Sequence, residues 1–149
     1  MKKKIIILLI FFIFSSCGYT PIYSNKNFSV NIINITKLKN DKLNFKIEKR
    51  LESFSDKNSQ KLIKLEMDSQ KLITVISKDS KGDPSRYEMV VKLNLNIDYN
   101  NENLKKTFEE RFNYKTNTNK FELNQYEKEI EELLINRIIE KLIRDLSKI

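Results

Sequence analysis

An alternation of apolar and polar residues, held over thirteen positions, constrains the fold of this chain more than any other feature. Successive side chains of a β-strand point to opposite faces of its sheet. A period of two therefore predicts a strand with one face on a hydrophobic core and the other in water. The apolar or aromatic positions of this strand are Tyr87, Met89, Val91, Leu93, Leu95, Ile97 and Tyr99.

The segments beside this strand predict its antiparallel neighbours. Leu62 to Ser77 is rich in β-forming residues, and its alternation loses phase at Ser69 to Lys71, which predicts a bulge or bend before Leu72 to Ser77. The sequence KDSKGDP, Lys78 to Pro84, is the strongest turn signal in the chain. On the other side, Asn100 to Asn103 predicts a hairpin turn that leads into a strand from Leu104 to Thr116.

The remaining segments predict one more strand and two helices. Phe28 to Thr36 is a short β-prone run, and Asp41 to Phe54 carries apolar residues at helical spacing. Tyr126 to Ser147 predicts a long helix capped by Asn124. The apolar stripe of this helix is wide enough to lie on a sheet, and it contains Ile130, Leu134, Ile138, Leu142 and Leu146.

The predicted element order is β-α-β-β-β-α, which indicates an α+β fold. A four-stranded, mainly antiparallel sheet with both helices packed on one face buries every apolar stripe. The other face of the sheet, which is polar on the strand from Tyr87 to Tyr99, is then expected to be open.

The first residues read MKKK and are followed by ten apolar residues, Ile5 to Phe14. A basic region before a short apolar run is typical of a secretory signal. Ten helical residues reach about 15 Å, which is half of a hydrocarbon core of about 30 Å. We therefore expect three parts: a signal peptide at 1–16, a lipidated tether at 17–27 and a single domain at 28–149.

Cys17 is the only cysteine of the chain, and it directly follows the small residues Ser15 and Ser16. This arrangement resembles the lipobox of bacterial lipoproteins, in which the signal is cut before a cysteine that receives a diacylglycerol. Stable anchoring takes two acyl chains or more, which such a cysteine carries. The alternative is an ordinary cleaved signal with a chance cysteine. Gly18 follows, and the absence of an aspartate there favours the outer membrane.

Composition argues against catalysis. The chain has no histidine that could activate a thiolate or a hydroxyl, and it has no Gly-rich loop, nucleophile elbow or metal-ligand cluster. We expect no enzyme activity, no metal and no cofactor other than the lipid on Cys17. The formal net charge of +8 favours anionic lipid or glycolipid over nucleic acid in an exported protein, although a solvated lysine surface explains it equally well.

Several segments together resemble the LptE family, the small lipoproteins of the lipopolysaccharide-assembly machine in the outer membrane. The resemblance follows element order over nearly the whole mature chain. It rests on Cys-Gly-Tyr after the cleavage point, SRYEMVVKLNLNI at the long strand, FEERFNY on the next strand and IIEKLIRDLSKI in the closing helix.

The resemblance implies the function. Members of the family sit as a plug inside the barrel of LptD on the periplasmic side of the outer membrane and help the barrel assemble. With the barrel, they deliver lipopolysaccharide to the outer leaflet. The competing hypothesis is a lipoprotein adaptor for another envelope machine, such as barrel assembly or lipid transport.

The resemblance also implies contact with lipopolysaccharide through basic residues at one end of the sheet. Lys78, Lys81 and Arg86 flank the corresponding turn, and Lys120 is expected in the loop before the last helix. Leu123 falls where the family has a basic residue in that loop. The alternative for each of the four is an ordinary solvated side chain.

Overall fold

The fold is that of a computed structural model, which describes residues 30 to 148. The predicted signal peptide (1–16), the lipid-attachment residue Cys17 and the tether (17–27) lie outside the described residues. The elements are β1 (Asn31–Lys37), α1 (Lys42–Phe54), β2 (Leu62–Lys78), β3 (Pro84–Tyr99), β4 (Glu102–Lys115) and α2 (Lys120–Leu146). This order confirms the predicted succession β-α-β-β-β-α.

The four strands form one mixed sheet in the order β1-β2-β3-β4. β2, β3 and β4 are antiparallel neighbours, whereas β1 runs parallel to β2. The parallel pairing follows from α1, because a crossover helix returns the chain to the end of the sheet at which β1 started. The two strands are in register from Asn31 beside Leu62 to Lys37 beside Met67, with an irregularity between Ile32 and Asn34.

The prediction of a bulge at Ser69 to Lys71 was wrong. β2 pairs with β3 without interruption through this stretch, and its register shifts lie instead between Val75 and Ser77 and between Ser77 and Lys78. Ser69 keeps the phase of Met67 and is buried on the same face. Ser69 and Lys71 are polar residues on the core side, so they interrupt the apolar alternation in the sequence although the strand itself is continuous.

A turn of two residues joins β3 to β4, shorter than the predicted turn from Asn100 to Asn103. Asn100 and Asn101 have φ angles of 51° and 66°, and Tyr99 pairs directly with Glu102. Asparagine enters the left-handed region more readily than most residues, and tight hairpins require positive φ at both central positions. The asparagine pair therefore fixes the register of the whole β3–β4 ladder.

α2 begins six residues before the predicted start, and its cap is Asn119 instead of Asn124. The Asn119 side chain accepts hydrogen bonds from the N–H groups of Phe121 (3.0 Å) and Glu122 (3.3 Å). Phe121 is 78% exposed, so the first turn lacks the apolar stripe that marks a buried helix. The sequence pattern therefore located only the packed part of the helix.

The hydrophobic core lies between the two helices and one face of the sheet. Leu134, Ile138 and Leu142 of α2 have no exposed surface, and Ile47 and Leu51 of α1 are buried as completely. The buried residues of the three long strands all share the phase that faces the helices: Ile63, Leu65, Met67, Met89, Val91, Leu93, Leu95, Ile97, Phe108 and Tyr114. Among the described residues, no helix covers the opposite face of the sheet.

Candidate functional site

The side of the sheet that faces away from the helices, called here the open face, is mostly polar. Its side chains belong to residues of β2, β3 and β4 that alternate with the core residues. Across the middle of the three strands the open face carries Lys64, Glu66, Asp68, Gln70, Lys92, Asn94, Asn96, Lys105, Thr107, Glu109 and Arg111.

Hydrogen bonds and ion pairs, most of them between strands, satisfy many polar groups of the open face. Asn96 Nδ2 donates to Glu66 Oε2 (2.8 Å), and Thr107 Oγ1 donates to Asn94 Oδ1 (2.9 Å). Arg111 lies 2.6 Å from Glu109 and 3.7 Å from Glu88. Both signs of charge are interspersed, so this surface suits a polar protein partner better than a purely anionic ligand.

The structure places Lys78, Lys81, Arg86 and Lys120 at one end of the sheet. Lys78 ends β2, Lys81 lies in the β2–β3 turn, and Arg86 pairs with Ser77 of β2. Lys120 is the first residue of α2, so the prediction that it lies in a loop was wrong. The β4–α2 connection starts beside this turn, since the Thr116 N–H donates to the Ser85 carbonyl at 3.1 Å.

A fifth basic residue, Lys115, belongs to the same end and was missed in the sequence. It pairs with Arg86 across β3 and β4. Counting outward from a two-residue turn at Asn100 and Asn101 gives this partner, so the signal was present in the sequence. We call Lys78, Lys81, Arg86, Lys115 and Lys120 the basic end. Among residues 30 to 148, the ion pairs found involve none of these five.

Asp79 holds the turn of the basic end in a fixed shape. Its Oδ1 accepts hydrogen bonds from the N–H groups of Lys81 (2.8 Å) and Asp83 (2.9 Å). Gly82 has a φ of 89°, a conformation that glycine adopts without strain. Asp79 and Asp83 also place two carboxylates near Lys78 and Lys81. The uncompensated positive charge therefore lies more on the strand side, with Arg86 and Lys115.

An aromatic cluster adjoins the basic end on the helix side of the sheet. The rings of Tyr87 and Tyr114 stack with centroids 5.6 Å apart, and Tyr126 meets Tyr114 edge-on at 6.2 Å. The Tyr114 hydroxyl donates to Glu127 Oε1 at 2.7 Å. Burial, followed by this carboxylate, raises the pKa of Tyr114, so the phenol stays protonated.

The start of α2 and the end of β4 line a surface groove of about 650 Å³ beside this cluster. Lys115, Leu123 and Tyr126 are among its lining residues. Leu123, the residue in the position where a basic side chain was expected, lies within the helix and packs partly against the core. The groove combines cationic and aromatic groups, which together suit a ligand that has both anionic and apolar parts.

A separate charged cluster joins both helices to β2. The buried carboxylate of Glu131 on α2 lies 2.6 Å from Lys46 of α1 and 2.5 Å from Lys71 of β2. Burial alone would raise the pKa of Glu131, but hydrogen bonds from the two ammonium groups outweigh it and hold the pKa below its ordinary value. These lysines are already paired with a carboxylate, so we assign the cluster a structural role.

Within the part of the chain that the structure describes, no group of acidic or cysteine side chains is arranged to hold a metal ion. None of the helices between residues 30 and 148 has the length and apolar character needed to cross a membrane.

The sequence matches no protein-family model and no curated protein. Solved structures of three bacterial lipoproteins share the fold. The lipoprotein B from Nitrosomonas europaea superposes with a TM-score of 0.61 at 11% identity, over 83% of this chain and 87% of its own. The rare lipoprotein B from Shewanella oneidensis superposes with a TM-score of 0.55 at 14% identity, over 75% of this chain and 93% of its own.

A third structure is the minor lipoprotein from Acinetobacter baumannii. It has a TM-score of 0.53 at 14% identity and covers 77% of this chain and 92% of its own. Each similarity spans most of both chains, so this chain shares the α+β fold of these three proteins. Identity this low establishes the fold alone.

Proposed function

We propose that this protein is an outer-membrane lipoprotein of the LptE type. It is anchored by lipid on Cys17, plugs and helps to assemble an LptD-type barrel, and takes part in lipopolysaccharide transport to the outer leaflet. The fold that it shares with rare lipoprotein B, which belongs to the LptE family, supports this proposal. So do the sequence segments that resemble that family.

The observation that carries the proposal is the open face. A four-stranded sheet that packs both helices on one side leaves a broad polar surface on the other side uncovered among the described residues. Its cross-strand pairs hold the side chains in place, which lowers the entropy lost when a partner binds. A plug inside a barrel needs a pre-organised polar surface of this kind, because the inner walls of membrane barrels are polar.

The first test identifies the partner. The full-length chain with a C-terminal tag is purified from detergent-solubilised outer membranes, and the co-purifying proteins are identified by mass spectrometry. We expect an LptD-like barrel. If a barrel-assembly or lipid-transport complex co-purifies in its place, the protein is an adaptor of that machine and the proposal is wrong.

The second test locates the contact surface. A photo-crosslinking amino acid is placed at Asn94, which lies exposed in the middle of the open face. The matched control carries it at Glu129, an exposed position of α2 on the helix side. We expect Asn94 to crosslink to the barrel and Glu129 to give little product. The reverse pattern would show that the helices, and not the open face, meet the partner.

The third test concerns lipopolysaccharide and the basic end. The triple variant Lys78→Glu, Lys81→Glu and Arg86→Glu reverses three exposed charges outside the core. Charge-assisted contacts with the glycolipid phosphates would be lost, so we expect weaker binding that is also less sensitive to salt. Binding is measured at low and at high salt, with circular dichroism as the check on folding.

A matched control for the third test makes the same change in net charge elsewhere. It carries Lys42→Glu, Lys57→Glu and Lys128→Glu, which are exposed positions away from the basic end. We expect the control to keep most of the binding. Equal losses of lipopolysaccharide binding in the two variants would show that binding depends only on overall charge. The basic end would then not be a lipopolysaccharide site.

A further inference from the structure

One edge of the sheet is covered along only part of its length. β1 ends beside Met67 of β2, whereas β2 continues to Lys78. Beyond the end of β1, and among the described residues, β2 therefore pairs with β3 alone. We call the regular stretch from Lys71 to Val75 the free edge, because the register with β3 shifts only between Val75 and Ser77.

Two hydrogen bonds identify which backbone groups point outward along β2. The Met67 carbonyl accepts from the Leu38 N–H at 3.0 Å, and the Ser69 N–H donates to Asn44 Oδ1 at 2.9 Å. Both groups point away from β3, and the direction of the backbone groups alternates along a strand. The outward N–H groups of the free edge are therefore those of Lys71, Ile73 and Val75.

Asn44 takes the place of β1 at the point where that strand stops. This buried side chain accepts hydrogen bonds from the N–H (2.9 Å) and from the hydroxyl (2.7 Å) of Ser69. Further along β2, the hydrogen bonds found among residues 30 to 148 include none that caps the outward groups of the free edge. Unpaired N–H and C=O groups of this kind template the addition of another strand.

The free edge lacks the charges that protect the opposite edge of the sheet. Charged side chains lie on both faces of β4, namely Lys105, Lys106, Glu109, Glu110 and Arg111. The free edge instead carries Ile73 and Val75 on the core side, 37% and 44% exposed, and Leu72 on the open face, 53% exposed. Charges, proline or a covering element usually protect an edge strand. This edge therefore fits a covering strand that brings apolar side chains to both faces.

Basic side chains stand at both ends of the free edge. Where β1 stops, five lysines and two carboxylates line a surface groove of about 640 Å³. Among residues 30 to 148, the ion pairs found involve neither Lys42 nor Lys128 of this groove. At the other end stands Lys78, and β2 has no acidic residue from Ser69 to Lys78. Charge complementarity therefore favours a covering segment with an apolar centre and acidic ends.

The tether of this chain is too short to cover the free edge. β1 starts beside Leu62, so the tether meets the sheet at the end opposite to the free edge. From Leu62 to Leu72 the strand spans about 33 Å, whereas residues 18 to 29 reach about 40 Å at full extension. About 7 Å would remain for pairing, which is the length of roughly two residues. The tether is therefore excluded, and the covering strand belongs to a partner.

We infer that a segment of the partner barrel pairs with the free edge and extends the sheet by one strand. This inference rests on the proposed function, in which a single chain plugs a barrel, so that no second copy is there to cover the edge. The wall strands of a closed barrel pair with each other, and the segment therefore lies outside the wall, in the lumen. It is extended, apolar in its centre on both faces, and acidic where it meets the lysine-lined groove.

Photo-crosslinking from both faces of the free edge tests the pairing. The crosslinking amino acid is placed in full-length chains at Ile73, on the core side, or at Thr74, on the open face. Because neighbouring side chains of a strand lie on opposite faces, a strand at the edge is within reach of both. We expect both positions to crosslink to one short segment of the barrel, identified by mass spectrometry. The control is Lys106, an exposed core-side position on β4, which should give no product with that segment.

Ile73→Pro tests whether the backbone makes the contact. The substitution removes an N–H that points away from β3, so it removes a donor for the added strand and no hydrogen bond to β3. Ile73→Ala is the matched control, because it shortens the side chain and keeps the N–H. Each full-length variant is co-expressed with a differently tagged parent chain, and the barrel recovered with each tag is compared. We expect the share of Ile73→Pro to fall by about tenfold and that of Ile73→Ala by less than about threefold.

The two experiments separate failure of this inference from failure of the proposed function. A barrel that co-purifies but crosslinks through neither Ile73 nor Thr74 would overturn the inference and leave the proposed function intact. So would equal losses for Ile73→Pro and Ile73→Ala, or a crosslink from Ile73 to a second copy or to a protein other than the barrel. A chain that co-purifies no barrel would overturn both. Circular dichroism checks the fold of Ile73→Pro, and the crosslinks decide if this variant does not fold.

Discussion

The packing of α2 on the sheet can be tested with two adjacent leucines. Leu134 is completely buried, whereas its neighbour Leu133 is 38% exposed. Changing a fully buried leucine to alanine costs about 2–5 kcal/mol, because apolar contacts are lost and a cavity remains. Leu134 lies in the middle of the stripe, with Ile138 one turn away and also buried, so little collapse into the cavity is expected. We expect a loss of about 3 kcal/mol for Leu134→Ala.

Leu133→Ala is the matched control, because it makes the same chemical change one residue away on the same helix. Its helix propensity effect is the same, but more than a third of the residue is already exposed to water. We expect a loss of about 1 kcal/mol or less. The comparison therefore isolates burial from helix propensity.

The measurement is urea unfolding of the chain without residues 1 to 17, followed by circular dichroism. With a slope of about 2 kcal/mol per molar urea, a loss of 3 kcal/mol lowers the midpoint by roughly 1.5 M. The free energy of unfolding of a domain is about 5–15 kcal/mol, so the Leu134→Ala domain remains folded in buffer. Equal midpoints for the two variants would show that α2 does not pack on the sheet, and the core described above would be wrong.

Further predictions concern the charged cluster around Glu131, the buried side chain of Asn44 and the lipid anchor at Cys17. The pKa of the Glu131 carboxyl is lower in the folded protein than in the unfolded chain. The ionised carboxylate therefore stabilises the fold at any pH above its pKa in the unfolded chain, and this stabilisation is lost as the pH falls through its pKa in the folded protein. Glu131→Gln should therefore be less stable than the parent at neutral pH, with the difference closing in acid; a constant difference in urea titrations across this range would contradict the ion pairs. Asn44→Ala should cost about 2–3 kcal/mol in the same titration, because it leaves buried polar groups of Ser69 without their partner, whereas exposed Asn113→Ala should cost little. Cys17→Ser should abolish labelling of the protein by a clickable fatty acid. Label retained on this variant would show that Cys17 is not the lipid-attachment residue.

The elements that the sequence predicted well are those whose pattern is local. The alternation from Tyr87 to Tyr99 repeats within a single segment, and it located β3 and its buried face. The stripe through Leu134 and Ile138 did the same for the packed part of α2. In both cases the side-chain period follows from backbone geometry alone, so no knowledge of the rest of the chain is needed.

The errors arose where polar residues occupy positions on the core side of a strand, and where the first turns of a helix have little contact with the core. Ser69 and Lys71 obscured the strand pattern of β2, because their partners Asn44 and Glu131 are distant in sequence. The first turns of α2 were assigned to a loop because they pack against little, and this error also misplaced Lys120. Lys115 was missed for a different reason, since its pairing with Arg86 depends on the length of the hairpin turn.

The sequence alone determined the number and order of the elements, the sidedness of the long strand and the position of the only cysteine. Tertiary structure decided the parallel direction of β1, the meeting of Lys115 with Arg86 and the free edge of β2. The physical reason is that secondary structure reports on contacts a few residues apart, whereas pairing joins segments tens of residues apart. Where β1 stops along β2 depends on how α1, which connects the two strands, packs on the face of the sheet, and no local pattern in either strand contains that information.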